Sequence, residues 1–373
     1  MIDRDRHLLA RAAREAARAE CLFTAPNPRV GALALSGGLV VGYGHHEKVG
    51  EAHAEEAALR DAGAWDPERN APRAGIVDEM VVTLEPCSAQ GAGKRRPACA
   101  EMLRAAGIRR LVVGAQDPDP RHQGAALRSL REAGVEVLTP DFPQEAFLAP
   151  LHRALSHQER PFVLLKWAAS LDGKVATASG ASKWITGTAA RAEGHQLRML
   201  SDAILCGSGT LLADDPALTA RVEGEASPRQ PLRVLLNAPG HLPASARVLS
   251  GASPRLWVTD AQGKPPGAAP TGDFHLALTR GADGRIPLTL LMQALAERGI
   301  RRLLVEGGSA LQGALLDQGL VDAVVRYEAP LLLGGSRGAC SGGGVASPAQ
   351  GLALRHEERR DLNPDLRRAF LLA

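Results

Sequence analysis

The chain has 373 residues, of which 45% are hydrophobic and 23% are charged, and its formal net charge is +3. This composition is typical of a globular protein, and so small a positive excess does not by itself indicate nucleic-acid binding. No apolar run approaches the length of a membrane-spanning helix, and the N-terminal segment lacks the apolar core of a secretory signal. The length favours two domains. Five cysteines in such a chain favour a reducing cytoplasm, where they serve metal binding or packing.

Apolar spacing predicts alternating helices and strands in the first half of the chain. The expected helices are 2–20, 51–60, 100–106 and 125–133, and the expected strands are 31–35, 39–44, 80–84, 111–114 and 135–138. Residues 64–75 are polar and contain prolines, which predicts a surface loop. Alternation of this kind indicates a sheet enclosed between helices, a three-layer α/β/α domain.

The prolines at 140, 143, 150 and 161 mark the expected junction between two domains. We predict a first domain at 1–145, a linker at 146–160 and a second domain at 161–373. The second domain has expected strands at 162–168, 203–206, 232–236, 256–259, 274–278, 302–305, 323–329 and near the C-terminus, and expected helices at 189–200, 288–298 and 309–318. Residues 261–272 hold prolines and small residues, which predicts a mobile loop.

The first domain contains a His-x-Glu motif, His53 to Glu55, followed by Cys87 in a Pro-Cys motif and by Cys99. One imidazole and two thiolates suit a tetrahedral catalytic zinc site whose fourth position is left for water. Glu55 would move protons between that water and a leaving amine, as the non-ligating glutamate does in zinc nucleobase deaminases. The predicted elements place His53 and Cys99 at helix starts and Cys87 just after a strand. Helix N-termini favour thiolates, so the cysteines are placed to be ligands.

Each part of this pattern also has an ordinary interpretation. The histidine alone is a helix cap or a surface group, and two cysteines among five are ordinary buried residues. A structural zinc module is a further alternative, which normally needs a fourth protein ligand. His122 is the candidate for that fourth ligand.

Two glycine turns in the second domain look like phosphate sites. Gly207-Ser-Gly-Thr210 follows a predicted strand, and Glu306-Gly-Gly-Ser309 lies between a strand and a helix. Such turns present backbone N–H groups and a positive helix end to an anion. The first is a weak match to a Rossmann fingerprint, because Leu212 stands where the third glycine is needed. A plain connecting turn is the alternative for both.

Further motifs follow in a fixed order along the chain. They are Gln116-Asp-Pro-Asp-Pro120, Lys166-Trp-Ala-Ala-Ser-Leu-Asp-Gly-Lys174, Ser182-Lys-Trp-Ile-Thr186, Ala213-Asp-Asp-Pro-Ala-Leu-Thr219 with Arg221, and Val305-Glu-Gly-Gly-Ser309. With the zinc motifs, this collinear set resembles the bifunctional riboflavin-biosynthesis deaminase/reductase family over nearly the whole chain. The resemblance implies an N-terminal cytidine-deaminase-like domain and a C-terminal dihydrofolate-reductase-like α/β domain with a mixed sheet.

The family's chemistry has two consecutive steps on one phosphorylated pyrimidine. The resemblance implies zinc-dependent deamination of 2,5-diamino-6-ribosylamino-4-pyrimidinone 5'-phosphate, then NADPH-dependent reduction of the ribosyl group to ribityl. It therefore implies Zn²⁺ and NADPH as cofactors and a phosphorylated small molecule as substrate. It also implies a homo-oligomer, since the family commonly assembles as dimers or tetramers. From the cysteine usage, the small net charge and the hydropathy, we expect a cytoplasmic protein without nucleic-acid or membrane partners.

In the deaminase domain, the resemblance places Asn27 and His46 on the pyrimidine, with His45 as the alternative to His46. A turn asparagine and a surface histidine are the ordinary interpretations. The loop between the two cysteines departs from the family pattern, since Ala89 stands at the position of a histidine. Lys94 and Arg95 are the candidates for a substrate contact from this loop.

In the reductase domain, the resemblance implies one set of cofactor contacts and one set of substrate contacts. The cofactor set is Ala168, Trp184, Thr210, Asp214, Gly308, Ser309, Ala310, Leu311, Gln312, Gly313 and Ala314. The substrate set is Ser182, Arg198, Leu218, Arg221 and Glu306. Arginine suits the substrate set because its planar fork pairs with phosphate oxygens. Two alternatives remain open for the whole chain: a protein with only one active half, and a deaminase of other nucleotides or of tRNA.

Overall fold

The fold is that of a computed structural model that describes residues 2–88, 98–117, 123–142, 160–236, 242–251, 253–263 and 273–372. The chain divides into two compact units, 1–158 and 159–373. The predicted linker at 146–160 falls almost entirely outside the described residues, and the predicted domain limits stay a prediction.

The first unit combines five main strands with five helices in its described residues. The helices are α1 (Ile2–Ala16), α2 (Cys21–Thr24), α3 (Ala54–Asp61), α4 (Cys99–Ala106) and α5 (Ala125–Glu132). The strands are β1 (Gly31–Ser36), β2 (Leu39–His45), β5 (Glu79–Val82), β6 (Arg110–Val113) and β7 (Glu136–Leu138), with a short hairpin of β3 (Trp65–Asp66) and β4 (Ala71–Pro72). The sheet order is β2-β1-β5-β6-β7.

Alternating side chains of this sheet bury two separate apolar layers. On one face, Leu33, Leu35 and Val81 pack with residues of α1. On the other face, Ala32 and Met80 pack with residues of α3, α4 and α5. The first unit is therefore the predicted three-layer α/β/α arrangement.

The second unit is built on a nine-stranded sheet. Its strands are β8 (Phe162–Ser170), β9 (Ala203–Gly207), β12 (Leu232–Leu236), β13 (Arg255–Thr259), β14 (Phe274–Ala277), β15 (Arg302–Glu306), β16 (Ala323–Ala329), β17 (Leu354–Asp361) and β18 (Leu366–Leu372), beside a small hairpin of β10 (Arg221–Val222) and β11 (Glu225–Ala226). Its helices are α6 (Thr188–Leu200), α7 (Ser208–Asp214), α8 (Leu288–Glu297) and α9 (Ser309–Asp317), with two short 3₁₀ turns at Arg247–Leu249 and Pro348–Gln350.

The large sheet is mixed, as the family resemblance predicted. Its order is β14-β13-β12-β9-β15-β8-β16-β18-β17. Pairing is parallel from β14 through β16 and antiparallel only where β18 meets β16 and β17. Strand β15 lies between β8 and β9, so the residues that follow these strands meet at one edge of the sheet. This edge is where open α/β sheets bind ligands.

The helices and main strands predicted from apolar spacing are all present, with ends shifted by a few residues. The hairpin β3-β4 was missed inside the predicted loop 64–75, and α7 was missed because Gly209 lowers its helix propensity. Most of the predicted loop 261–272 lies outside the described residues. Within the described part of the chain, no helix is long and apolar enough to cross a membrane.

Candidate active sites

The first unit brings His53, Cys87 and Cys99 together. Their ligand atoms all lie within 4.8 Å of one another. The Nδ1 atom of His53 is 3.2 Å from the Cys99 sulfur and 3.8 Å from the Cys87 sulfur, and the Cys99 backbone N–H donates to the Cys87 sulfur at 3.3 Å. One nitrogen and two sulfurs at such distances fit one zinc ion in tetrahedral geometry. Within the described residues, this is the one His/Cys/Asp/Glu group close enough to hold a metal.

Local structure explains why these three side chains meet. His53 is the N-cap residue of α3, and Cys99 is the first residue of α4. Glycine brings α3 close to the sheet, because a Cβ on Gly44 would lie 2.2 Å from the Ala54 carbonyl oxygen. Two helix N-termini therefore point at one place, and both favour negative charge on the sulfurs.

The two thiols form a hydrogen-bonded pair with unequal proton affinity. Hydrogen bonding to Cys99, opposed by burial and assisted by His53, lowers the pKa of Cys87. Hydrogen bonding to Cys87, together with burial, raises the pKa of Cys99. The pair thus holds one thiolate readily, and a bound cation would favour the second.

Glu55 lies in the first turn of α3 and is 3% exposed. Burial raises the pKa of its carboxyl, while the nearby His53 opposes the rise. A carboxyl that takes and releases a proton more easily near neutral pH suits a general acid and base. The predicted catalytic residue therefore has an environment that fits its proposed chemistry.

Asn27 and His46 lie beside the metal-ligand group. The Asn27 amide nitrogen is 3.1 Å from His46 Nε2, and His46 Nδ1 is 3.0 Å from the Ala52 carbonyl oxygen. The rings of His46 and His53 meet edge to face at 5.2 Å. His45 instead lies 2.9 Å from a carboxylate oxygen of Glu15. The structure therefore favours His46 over His45 for the position next to the site.

Glu85 was not singled out as a site residue, although it lies two residues before the predicted ligand Cys87. Its buried carboxylate accepts hydrogen bonds from the backbone N–H groups of Asp117, Gly124 and Ala126. Through these bonds Glu85 holds Asp117, which follows β6, and Gly124 and Ala126, where α5 begins. The predicted site residues Lys94 and Arg95, the candidate fourth ligand His122, and Ala89 lie outside the described residues.

In the second unit, the two glycine turns lie side by side after β9 and β15. A Cβ on Gly307 would lie 2.6 Å from the Thr210 side chain, so glycine permits this contact. Both Gly307 and Gly308 have positive φ, which L-residues with side chains rarely adopt. The predicted cofactor residues Thr210 and Gly308 are thus neighbours, although they are distant in sequence.

Arg198 and Glu306, both predicted substrate contacts, bind each other. Arg198 Nε and Nη2 donate to the two Glu306 oxygens at 2.7 Å each. Lys166 adds a third charge, 3.9 Å from Glu306 across neighbouring strands. Burial raises the pKa of Glu306, but Arg198 and Lys166 outweigh it and lower the value to about 2. Burial also lowers the pKa of Lys166, opposed by Glu306.

Lys166 is the residue in this cluster that sequence reasoning missed as a site residue. The available signal was a lysine that is the single charged residue of the strand Phe162–Ser170. Its side chain is 19% exposed, and its ammonium lies 5.7 Å from the centre of the Tyr327 ring. A half-buried lysine beside a largely enclosed ion pair is a candidate for a functional role.

The remaining predicted contacts occupy different environments. The Ser182 hydroxyl donates to the Asp214 carboxylate at 2.6 Å, so one predicted substrate residue binds one predicted cofactor residue. Trp184 is 71% exposed, and the Arg191 guanidinium stacks on it at 4.7 Å. Ala168 is half-buried on β8, and Leu218 is buried in a left-handed backbone conformation.

The predicted cofactor run from Gly308 to Ala314 is only partly accessible. Gly308, Ser309 and Ala310 at the start of α9 are exposed or half-buried, and so is Ala314. Leu311, Gln312 and Gly313 are buried. Gly313 is covered by residues 341–342, since an added Cβ would lie 2.4 Å from their backbone. The open part of the run is therefore the glycine turn and the first helical turn.

Two family models match the chain. The cytidine and deoxycytidylate deaminase zinc-binding region matches residues 2–115, and the RibD C-terminal domain matches residues 161–367. The riboflavin biosynthesis protein RibD of Escherichia coli is 36% identical over 376 residues, covering 97% of this chain and 98% of its own. The protein of the same name from Bacillus amyloliquefaciens is 37% identical, covering 92% and 90%.

Solved structures give the same result. Acinetobacter baumannii RibD has a TM-score of 0.72 and 32% identity, and the match covers all of both chains. A Thermotoga maritima diaminohydroxyphosphoribosylaminopyrimidine deaminase/5-amino-6-(5-phosphoribosylamino)uracil reductase has a TM-score of 0.69 and 28% identity, covering 100% of this chain and 99% of its own. The likeness therefore extends over both units.

Proposed function

Because the chain belongs to the RibD family of riboflavin-biosynthesis proteins, we propose that it catalyses two consecutive steps of that pathway. The first is hydrolytic deamination of 2,5-diamino-6-ribosylamino-4-pyrimidinone 5'-phosphate. The second is reduction of the ribosyl group of the deaminated product to ribityl. The observation that carries the proposal is one chain in which a His53-Cys87-Cys99 group and a RibD-type reductase unit occur together.

In the deaminase unit, His53, Cys87 and Cys99 would hold the zinc ion, which lowers the pKa of water so that a nucleophile is available at neutral pH. Glu55 takes the proton of the attacking water and delivers it to the departing ammonia. Its raised pKa makes both transfers easier than for an exposed glutamate. Asn27 and His46 are held by each other and orient the pyrimidine beside His53.

In the reductase unit, NADPH would supply the hydride for the sugar C1' carbon. The chain's own residues then have to align the two reactants and exclude water. The glycine turn at Gly307 and Gly308, with Thr210 against it, offers backbone N–H groups for a cofactor phosphate. The cluster of Lys166, Arg198 and Glu306 would contact the ribosyl group where the bond changes occur.

A small phosphorylated substrate suits a chain with a modest basic excess. We extend the proposal to a cytoplasmic protein that assembles into a homo-oligomer and has no nucleic-acid or membrane partner. Size-exclusion chromatography with light scattering tests the assembly.

The test of function is a paired assay of ammonia release and NADPH oxidation, each with its own substrate. Wild-type protein should release ammonia from the diaminopyrimidinone and oxidise NADPH when the deaminated intermediate is supplied. The variant Glu55→Gln should lose the first activity and keep the second. Protein that releases ammonia but never oxidises NADPH would leave a deaminase with an inactive second half.

The converse variant is Arg221→Ala, which removes a proposed charged substrate contact. Since a hydrogen bond to a charged group is worth about 1.5 to 3 kcal/mol, reduction should fall by about tenfold or more. Ammonia release should continue unchanged. Arg229→Ala is the matched control, because Arg229 faces Asp202 at 3.5 Å on the surface.

A further inference from the structure

Three basic side chains of the reductase unit are anchored on one residue, Thr219. His195 Nδ1 lies 3.2 Å from the Thr219 carbonyl oxygen, and Arg198 Nη1 donates to the same oxygen at 2.9 Å. Arg221 Nε donates to the Thr219 hydroxyl at 3.3 Å. The chain just after Leu218 thus gathers an imidazole and two guanidinium groups.

The three groups differ in what remains available for a ligand. Arg198 uses Nε and Nη2 on Glu306 and Nη1 on Thr219, so its fork is directed at protein atoms. In the part of the chain that the structure describes, Arg221 is held through Nε alone, which leaves both of its terminal amino groups for an incoming anion. His195 is held through Nδ1, which donates to a carbonyl and therefore carries the proton. Its Nε2 makes no hydrogen bond within the described residues.

The electrostatic surroundings of His195 favour an anion. Burial and the positive charge of Arg198 lower the pKa of His195, with a further lowering from Arg221, while Glu306 opposes them. Among the described residues, the charged groups that act on His195 come from α6 (Arg198), β10 (Arg221) and β15 (Glu306). The site thus holds a half-buried imidazole beside guanidinium groups, and its burial and these positive charges favour its neutral form. A dianion placed there would reverse the balance and favour the imidazolium.

We propose that His195 is a phosphate ligand of the reductase unit, binding the phosphate monoester of the pyrimidine substrate through Nε2 together with Arg221. This inference rests on the proposed function and adds a residue to its substrate site. The proton that Nε2 needs is taken from solvent as the phosphate binds. Thr219 positions both ligands by holding their inner nitrogen atoms.

The decisive variant is His195→Asn. Its side-chain amide can occupy the place of Nδ1 and still donate to the Thr219 carbonyl, while nothing occupies the place of Nε2. We expect KM for the phosphorylated intermediate to rise by about tenfold at pH 6, as expected for loss of a charge-assisted hydrogen bond. KM for NADPH should not change. His195→Gln, whose amide reaches the outer position without charge, should restore part of the loss.

The pH dependence separates a ligand from a structural support. The ratio of KM values, variant over wild type, should be largest at pH 6 and approach one by about pH 9, because His195 then stays neutral in both states. A ratio that is the same at every pH would overturn the proposal, as would an unchanged KM. A rise in KM for NADPH alone would assign His195 to the cofactor site and would reject the proposal that it binds the substrate phosphate. Wild-type protein without reductase activity would instead reject the proposed function.

Discussion

Arg198 and Glu306 form two parallel hydrogen bonds of 2.7 Å each, between residues 108 positions apart in the chain. Bidentate pairing of this kind is among the strongest polar contacts in proteins. The pair is largely enclosed and has Lys166 as a third member. It therefore contributes to both the stability of the second unit and the shape of its site.

The low pKa of Glu306 predicts an acid-sensitive contribution to stability. Its folded value of about 2 lies below the ordinary 4.5, so the stabilisation is fully present above pH 4.5 and is lost as pH falls towards 2. We expect the difference in free energy of unfolding between wild type and Glu306→Gln to shrink between pH 6 and pH 3. Urea unfolding followed by tryptophan fluorescence in a Trp65→Phe background reports only the second unit. Glu297→Gln, at the exposed end of α8, should show no such trend.

Zinc content tests the ligand assignment. Wild-type protein should hold one zinc ion per chain, and Cys99→Ser should lose most of it, because a hydroxyl is a much weaker zinc ligand than a thiolate. Cys340→Ser is the control, since Cys340 is exposed in the other unit. Elemental analysis after dialysis measures the zinc bound per chain. Full zinc retention in Cys99→Ser would remove Cys99 from the ligand set.

Glu55→Gln should keep the metal while ammonia release falls by about 10² to 10⁴, the usual range for loss of a general acid or base. The matched control is Glu56→Gln, one residue further along α3. Glu56 pairs with Arg60 at 2.8 Å and does not belong to the metal-ligand group, so this change should leave the zinc content and the turnover close to those of wild type. Equal losses in both variants would point to damage of the helix and not to lost proton transfer.

Gly313→Ala tests the packing of residues 341–342 on α9. The new methyl group would lie 2.4 Å from backbone atoms, and overpacking of this kind costs about 1 to 3 kcal/mol. Gly209→Ala, in α7, meets no atom within 4 Å and should be neutral or stabilising. The midpoints of urea unfolding in the Trp65→Phe background compare the two. A Gly313→Ala protein as stable as wild type would show that residues 341–342 can move away.

The sequence determined the order of the main helices and strands, the mixed α/β class and the candidate metal-ligand residues, because these depend on local signals. Apolar periodicity, helix starts at His53 and Cys99 and the glycine turns are all readable within a few neighbouring residues. The family resemblance then supplied the pairing of deaminase and reductase units, which the comparisons confirm. The individual contact residues stay predictions.

Tertiary structure alone decided which of the candidate side chains bind each other. The resemblance implies that Arg198 and Glu306 each contact the substrate, yet the fold brings Glu306 to the fork of Arg198. His46 and His45 are adjacent in sequence, and only the fold places His46 against His53. The resemblance implies that Gly313 contacts the cofactor, but residues 341–342, which follow β16 in the chain, cover it. Such contacts join distant parts of the chain, and their geometry depends on how whole elements pack, which no local pattern encodes.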